Sequence, residues 1–323
     1  MASKNTLNGK AFEYACLKSI KKRLNSLGLE NEVIVQKDVA YQTAKNLYKE
    51  ESIDDRCDMD AAAETAVDLL FPLEPRLEHG SGEIYLGINT DAAAQGVDGD
   101  VRDVLCIRCS SNWQIGLSCK HNHEALKHPR ITAEKDFGTD WVGYSCSKEY
   151  MDEITPIIDP LIEFGEKGIL WRNISNKKDL FYLPILDAYV NEIRRLCDQH
   201  EDVPKRLLSY FFGSKDFYKV IAKIKSKTTK LEGFNMNGTL GAPAGKIRPV
   251  TKVPQLKMPT RLIEATLKPK SKTTIILTFD GGWAVSMRLH NKDKVAKPTS
   301  LAWDVQLVGL PTETYFNIHS WNE

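Results

Sequence analysis

The chain has 323 residues, enough for one large domain or two of ordinary size. Its mean hydropathy of −0.36 and its 42% of hydrophobic residues indicate a soluble globular protein, and we find neither an apolar run of membrane-spanning length nor a basic-then-apolar leader. The seven cysteines are an odd number and favour reduced thiols over a disulfide framework, so we expect a cytoplasmic protein with no membrane partner.

The net charge of +1 hides a strong asymmetry along the chain. Residues 205–300 contain 20 lysines and arginines but only 5 aspartates and glutamates, so the remainder of the chain is acidic. A basic segment joined to an acidic body suggests an anionic polymer as the partner. A solvated, lysine-rich face is the alternative interpretation.

The first half of the chain predicts helices followed by a strand meander. Apolar residues at helical spacing predict helices at 8–27, 41–51 and 57–71. Alternation of apolar and polar residues predicts a strand at 82–89, and two short apolar runs predict strands at 104–108 and 113–120. A short helix is expected at 121–127.

The second half predicts more helices, an irregular segment and a hairpin. Helices are expected at 148–167, 179–197 and 203–225. Residues 230–261 show little periodicity and contain a structured loop at 234–241. The Asp280-Gly281-Gly282 turn predicts a hairpin of strands 274–279 and 283–289, with another strand at 303–308.

These elements predict a mixed α/β (α+β) protein. We expect one region at 1–203, with a central mixed sheet flanked by helices. Residues 204–323 are expected to form a basic α+β region that ends in a hairpin or sheet.

Two aspartates directly precede the second strand of the predicted meander, and a lysine lies at the end of the third strand. Side chains alternate along a strand, so Lys120 shares a face with Ser118 and not with the apolar Cys119. An antiparallel partner can bring Asp103 or Asp100, at its entrance, to the side of Lys120. A carboxylate that holds Mg²⁺ and an ammonium that orients the attacking water and helps to deprotonate it are suited to phosphodiester hydrolysis.

This order of helix, three strands and helix, with an aspartate before Ser118-x-Lys120, is similar to the core of PD-(D/E)XK nucleases. The resemblance implies a nuclease core at 1–203, and the basic region at 204–323 would then recognise DNA. Those nucleases usually carry an acidic residue where this chain has Ser118, and serine is a weak metal ligand. We expect Glu13, on the inward stripe of the first predicted helix, to supply the second carboxylate. Glu74 and Glu124 are the alternatives.

Three other interpretations remain open from the residues alone. Residues 100–103 can simply cap a turn through a local ion pair. The histidines at 121, 123 and 128 suggest an HNH-type metal-histidine nuclease, although the hairpin of that class is not evident. Cys106 and Cys109 suggest a zinc site, although their spacing places them on opposite faces of a strand.

Longer strings spread over nearly the whole chain resemble the type II restriction endonucleases of the HaeIII type. They are NTLNGKAFE at 5–13, LEPR at 73–76, GDVRD at 99–103, IGLSCKHNH at 115–123, FNMNGTL at 234–240 and QLVG at 306–309.

The resemblance implies Mg²⁺-dependent cleavage of double-stranded DNA at GGCC, with a blunt cut at the centre, and a cognate DNA methyltransferase in the same system. On this resemblance we expect Asp103, Asp100, Lys120 and Glu13 to be the catalytic residues. The three carboxylates among them are also expected to bind Mg²⁺. A sequence-specific DNA-binding protein without catalysis is the alternative, because of Ser118. Whether the protein acts as a monomer or a homodimer is open.

To recognise GGCC in the major groove, the protein must donate hydrogen bonds to guanine and accept hydrogen bonds from cytosine. We expect base contacts from the basic, proline-rich and glycine-punctuated segment 230–272. The candidates there are Asn235, Asn237, Lys252, Lys257 and Arg261. Phosphate contacts beside the scissile bond are expected from a second group, at and after the third strand: Ser118, His121, Asn122, Lys127 and Arg130.

Overall fold

A computed structural model describes residues 4–90, 100–122, 126–132 and 134–321, with side chains from residue 7 onward. Within these residues the fold has eight α-helices and eleven strands, and it is a mixed α/β protein as predicted. The strands form one seven-stranded and one four-stranded sheet. In this described part of the chain, no helix is both long and apolar enough to cross a membrane.

The three helices predicted in the first 71 residues are present. They are α1 (Lys4–Ser26), α2 (Val39–Glu50) and α3 (Ile53–Leu70), with a short strand β1 (Val33–Val35) between the first two. The Asp38 side chain accepts a hydrogen bond from the Tyr41 backbone N–H, and Ser52 accepts one from Asp55, so both later helices begin at a side-chain cap. A fourth short helix, α4 (Pro75–His79), follows.

The predicted meander lies in the large sheet. It consists of β2 (Ile84–Ile88), β3 (Val104–Arg108) and β4 (Trp113–His121). Strand β3 pairs antiparallel with both β2 and β4. The sheet continues with three later strands, β5 (Phe217–Lys223), β6 (Thr228–Phe234) and β11 (Tyr315–Ser320). The strand order is β1-β2-β3-β4-β5-β6-β11, in which β1 is parallel to β2 and β4 is parallel to β5. Helices α1–α3 and the 71–79 segment pack on one face of this sheet, against Leu117, Cys119 and Tyr218 among others.

The second half begins with four helices: α5 (Phe137–Val142), α6 (Lys148–Glu166), α7 (Leu183–Gln199) and α8 (Val203–Phe212). The predicted helix at 203–225 is wrong beyond residue 212. Gly213 follows α8 with a φ of 82°, a conformation that favours glycine, and the chain continues as strand β5 (Phe217–Lys223). The apolar residues of this segment are buried by pairing with β4 and β6 rather than by a helix face.

Two further predictions needed correction or fell outside the described residues. The segment 230–261 is not irregular from its start, because β6 (Thr228–Phe234) pairs with β5. In the expected helix at 121–127, His121 still belongs to β4, and residues 123–125 lie outside the described residues.

The small sheet contains the predicted hairpin. Strands β8 (Thr274–Phe279) and β9 (Ala284–Asn291) flank the Asp280–Gly282 turn, and the sheet is completed by β7 (Leu262–Leu267) and β10 (Leu301–Gly309), in the order β10-β9-β8-β7. The last strand, β11 (Tyr315–Ser320), returns to the edge of the large sheet. Helices α5–α8 and the small sheet share a second hydrophobic core. The division of the chain at 203/204 stays a prediction.

Candidate active site and nucleic-acid interface

Lys120 and Asp103 form the centre of the candidate site. Lys120 Nζ lies 3.3 Å from Asp103 Oδ2, and that same oxygen accepts a hydrogen bond of 2.7 Å from the Cys119 backbone N–H. The two side chains are 21% and 25% exposed, so both groups are open to a ligand. The antiparallel pairing of β3 with β4 therefore brings together the acid and the ammonium group, as the sequence predicted.

Glu13 contributes to the same electrostatic environment from α1. Burial lowers the pKa of Lys120, but the charges of Asp103, Cys119 and Glu13 and the hydrogen bond to Asp103 raise it above its usual value. Lys120 therefore carries a positive charge at neutral pH. It can neutralise negative charge on a phosphate, but it is a poor proton acceptor.

Asp100 has a different partner. Its carboxylate accepts hydrogen bonds from Arg102 Nε at 2.8 Å and Nη2 at 2.6 Å, and from the Arg102 backbone N–H. Arg102 is buried and lies over Gly116, where a Cβ atom would collide with the arginine side chain. In this arrangement the charge of Asp100 is compensated by Arg102.

Of the two alternatives for the second carboxylate, Glu74 and Glu124, the structure describes only Glu74. Glu74 is fully buried, and its Oε1 accepts hydrogen bonds from Tyr218 Oη and the Gly241 backbone N–H, each 2.7 Å long. Burial raises the pKa of Glu74 to about 7, although those two hydrogen bonds and Arg76 oppose the shift. Glu74 thus joins α4 to β5 and to the loop at 241. Glu124 lies outside the described residues.

Two lysines that the sequence analysis did not single out share the face of Lys120. Lys120 pairs in register with Ile221, which pairs with Lys230; Ser118 pairs with Lys219. Residues directly opposite each other on neighbouring strands point to the same face. Ser118 and Lys219 are each 3% exposed, and Lys230 is in an ion pair of 2.6 Å with Glu232.

The sequence carries a partial signal for Lys219. Residues 218, 220 and 222 are all apolar, and Lys219 and Lys223 lie between and after them, as on a strand, but the prediction of one helix over 203–225 placed Lys219 on a helix. Lys230 lay in the segment that we predicted to be irregular.

The donor set at this site is suited to a hard divalent cation. Asp103 supplies a partly exposed carboxylate, and Glu13 lies close enough for its charge to act on Lys120. Among the described residues no group of three or more His, Cys, Asp or Glu side chains can hold a metal ion. A Mg²⁺ ion, which keeps several waters and commonly binds through one or two carboxylates plus substrate phosphate, is compatible with such a set.

His121 and Asn122 lie at the end of β4. The His121 ring is 6.1 Å from the ring of Phe12, and burial lowers its pKa, an effect that Asp55 and Asp58 of α3 oppose. Asn122 has a φ of 57°, and its side-chain oxygen accepts a hydrogen bond from the Ile224 backbone N–H. His121 thus belongs to a strand inside the large sheet, and His123 lies outside the described residues.

The proposed cysteine site has no support in the described part of the chain. Cys106 is buried within β3, whereas Cys109 is exposed after the strand ends. Burial raises the pKa of Cys106 to about 12, so its thiolate form is disfavoured. Both are free thiols.

Lys127 and Arg130 lie beside β10. Their backbones form isolated antiparallel β-bridges, Lys127 with Val305 and Arg130 with Ala302. Lys127 Nζ donates a hydrogen bond of 3.1 Å to the Tyr210 carbonyl and lies 3.7 Å from the centre of the tyrosine ring. Burial lowers the pKa of Lys127 to about 8. Arg130 is more exposed and is in an ion pair of 3.0 Å with Asp293.

Asn235 and Asn237 hold the predicted loop together. Asn235 is buried; its Nδ2 donates to the Val253 carbonyl and its Oδ1 accepts from the Leu240 backbone N–H. Asp216 accepts hydrogen bonds from the backbone and side chain of both Asn237 and Thr239. In the free protein these side chains shape the loop.

The three basic candidates further along are on the surface. Lys252, Lys257 and Arg261 are exposed. The chain beneath them is held by buried groups: Trp283 Nε1 donates to the Lys257 carbonyl, and the Asp280 carboxylate accepts from the Arg261 backbone N–H. Their cationic ends are therefore available to a polyanion on a fixed backbone.

Comparison with known proteins identifies the family of this chain. The family model described as HaeIII restriction endonuclease matches residues 9–311. The chain is 35% identical to the type II restriction enzyme HaeIII of Haemophilus aegyptius over 325 aligned residues, covering 100% of both chains. No solved structure gave a significant match. The chain belongs to the HaeIII restriction endonuclease family and is a type II site-specific deoxyribonuclease, which acts on double-stranded DNA.

Proposed function

We propose that this deoxyribonuclease hydrolyses double-stranded DNA at GGCC, cutting at the centre to leave blunt ends, and that it requires Mg²⁺. The Lys120–Asp103 contact at 3.3 Å carries the assignment of the site, and the full-length identity of 35% to HaeIII supports the sequence specificity. A cognate DNA methyltransferase belongs to the proposal. So does a cytoplasmic location, which the seven free thiols support.

Asp103 and Glu13 are the residues that would hold Mg²⁺, which supplies Lewis-acid activation of the scissile phosphate when it is bound. Asp100 has a separate role in this proposal: its hydrogen bonds keep the Arg102 side chain in place over Gly116.

Lys120 stabilises charge rather than accepting a proton. Its raised pKa keeps the ammonium group protonated, so it can donate a hydrogen bond to a phosphate oxygen as negative charge builds up in the transition state. Contact with Asp103 holds the ammonium in position before DNA binds.

Contacts with DNA are assigned by exposure. Lys252, Lys257 and Arg261 present free cationic ends and are proposed to reach the DNA, with Arg130 and Asn122 beside the scissile phosphate. Asn235 and Asn237 are proposed to shape the loop at 234–241, since their side-chain amides already donate hydrogen bonds to the Val253 and Ser214 carbonyls. Cutting both strands of a palindrome requires either a homodimer or two successive events on one monomer.

The test is cleavage of plasmid DNA by Lys120→Ala and Asp103→Asn variants. Both are expected to bind a GGCC duplex in Ca²⁺ with affinity close to that of the unmodified protein, and to cut at least about 100-fold more slowly in Mg²⁺. Lys22→Ala, at an exposed ion pair on α1, is the matched control and should cut normally. Cutting by Lys120→Ala at the unmodified rate would remove Lys120 from the site.

Specificity and metal dependence need separate measurements. Discrete fragments with blunt ends at GGCC, present with Mg²⁺ and absent with EDTA, are the expected result. Cutting at another sequence would refute the GGCC assignment and leave the catalytic assignment intact. Retardation of DNA without cutting under every metal condition would support the non-catalytic alternative.

A further inference from the structure

Asp100, Arg102 and Gln114 form a chain of hydrogen bonds that ends at the surface of the large sheet. The Asp100 carboxylate accepts hydrogen bonds from Arg102 Nε at 2.8 Å and Nη2 at 2.6 Å, and Arg102 Nη1 donates to Gln114 Oε1 at 3.3 Å. The side chains of Asp100 and Arg102 are only 18% and 6% exposed, whereas Gln114 is an exposed residue. Gln114 is therefore the member of this chain most open to a large ligand.

Arg102 determines which end of the Gln114 amide points away from the protein. A guanidinium group has N–H donors and no acceptor, so the atom of Gln114 that meets it is the oxygen. Among the described residues, the NH2 group of Gln114 has no hydrogen-bond partner. The residue lines a groove of about 500 Å³, so there is open space beside the amide. Gln114 therefore presents N–H donors to the groove while its oxygen is engaged.

Gln114 shares a strand and a face with Lys120. Side chains alternate along β4, so the even-numbered residues from Gln114 to Lys120 lie on one face of the sheet. Six residues separate the two Cα atoms, which is roughly 20 Å along the strand.

Contacts draw the ends of both side chains toward the middle of β4. The Lys120 ammonium group contacts the Asp103 oxygen that is bonded to the Cys119 backbone N–H. At the other end, Gln114 contacts Arg102, whose side chain covers Gly116. The ammonium group and the Gln114 amide are therefore less than about 20 Å apart.

A separation of this size suits a scissile phosphate and a base of the same short site. In the proposed function the cut lies at the centre of four base pairs, so every guanine lies within two base pairs of it. Two base pairs span about 7 Å of the helix axis, and base edges lie about 8.5 Å deep in the major groove. Together these give roughly 11 Å between the scissile phosphate and a guanine edge.

A side chain that offers donors alone matches guanine. In the major groove guanine presents two acceptors, O6 and N7, whereas adenine presents N7 beside the N6–H donor and cytosine presents the N4–H donor. A free glutamine pairs with adenine, because its oxygen accepts from N6 while its NH2 group donates to N7. The oxygen of Gln114 is already engaged by Arg102, so this pairing is blocked.

We propose that Gln114 is a specificity-determining residue that reads a guanine of the recognition sequence. Arg102 and Asp100 are positioning residues that hold the Gln114 amide with its donors outward. The NH2 group donates to guanine O6 or N7, and adenine is rejected because its N6–H donor meets a second donor. This inference rests on the proposed function, since it takes GGCC as the site.

The experiment measures binding in Ca²⁺ to a GGCC duplex and to two duplexes in which the first or the second guanine is replaced by adenine. The ratio of the affinities for GGCC and for each adenine duplex is the discrimination at that position. For Gln114→Ala we expect the discrimination to fall roughly tenfold or more at one position and to be unchanged at the other. Gln42→Ala, at an exposed glutamine of α2 on the opposite face of the sheet, is the matched control and should keep both ratios.

Arg102→Met tests the positioning role. Without the guanidinium group the Gln114 amide can turn and pair with adenine, so the affinity for one adenine duplex should rise at least about tenfold relative to that for GGCC. The double variant Gln114→Ala/Arg102→Met should show the discrimination of Gln114→Ala, because Arg102 acts through Gln114. Gln114→Glu, which changes an exposed side chain and so does not depend on the buried pair, presents acceptors and should lose discrimination at the same position as Gln114→Ala.

The outcomes separate this inference from the proposed function. An unmodified protein that neither prefers nor cuts GGCC would refute the proposed function itself. If the unmodified protein prefers GGCC but Gln114→Ala keeps both ratios, Gln114 reads no base. Equal weakening on all three duplexes would reduce Gln114 to a phosphate or packing contact and would also overturn the proposal. A further change of discrimination by Arg102→Met in the Gln114→Ala background would overturn the positioning role of Arg102.

Discussion

Replacing Glu74 by glutamine should remove a pH dependence from the stability of this enzyme. Glu74 is fully buried, and its Oε1 already accepts two hydrogen bonds of 2.7 Å, whereas its buried Oε2 has no hydrogen-bond partner among the described residues. Burial penalises the charged carboxylate and raises the pKa of Glu74 from its usual 4.5 to about 7, although the two hydrogen bonds and Arg76 oppose the shift. Glutamine keeps the shape and the accepting oxygen but does not titrate.

The sign follows from proton binding. Between pH 4.5 and 7 the folded protein holds the Glu74 proton and the unfolded chain releases it, so the free energy of unfolding falls as pH rises through this range and is level above it. A shift from 4.5 to about 7 corresponds to about 3 kcal/mol, at roughly 1.4 kcal/mol for each pKa unit.

The assay is urea unfolding of the unmodified protein and of Glu74→Gln at several pH values from 5 to 8. Subtracting one free energy from the other cancels the titration of all other groups. The unmodified protein should lose up to about 3 kcal/mol relative to Glu74→Gln over this range. Glu50→Gln, at an exposed side chain at the end of α2, should show a flat difference. A flat difference for Glu74→Gln as well would refute the assignment of a neutral buried carboxyl group.

Two further substitutions test packing and loop order. Gly116→Ala would place a methyl group inside the Arg102 side chain, so we expect a loss of about 1–3 kcal/mol in urea unfolding, whereas Gly9→Ala, which meets open space, should not destabilise the protein. Asp216→Ala removes the acceptor of the loop at 237–239 and should cost about 2 kcal/mol. It should also speed hydrogen exchange of the backbone amides of that loop; unchanged exchange would contradict the role of Asp216.

The sequence predicted best where the determining interactions are close along the chain. The helices α1–α3 follow from apolar spacing and from side-chain caps such as Asp38 and Ser52. The meander β2–β4 follows from short apolar runs and tight links, which leave antiparallel pairing as the simplest arrangement. The closeness of Lys120 to Asp103 then follows from strand alternation.

Helix and strand were confused where the local pattern fits both. Residues 203–225 are apolar enough for one long helix, yet the chain turns at Gly213 and the rest becomes β5. That choice depends on β4 and β6, which offer unpaired backbone groups on both sides of β5. Neither neighbour can be identified from residues 203–225 themselves.

By itself, the sequence determined the family, the mixed α/β class and the contact between Lys120 and Asp103, because these depend on residue identity, period and local pairing. Only the tertiary structure decided that Glu74 is buried and that the loop at 241–250 is attached to the segment 72–76. The hydrogen bonds that hold this loop join residues as far as 178 positions apart, Pro72 and Val250. Burial and charge compensation at such separations arise from packing of the whole chain, which no local pattern encodes.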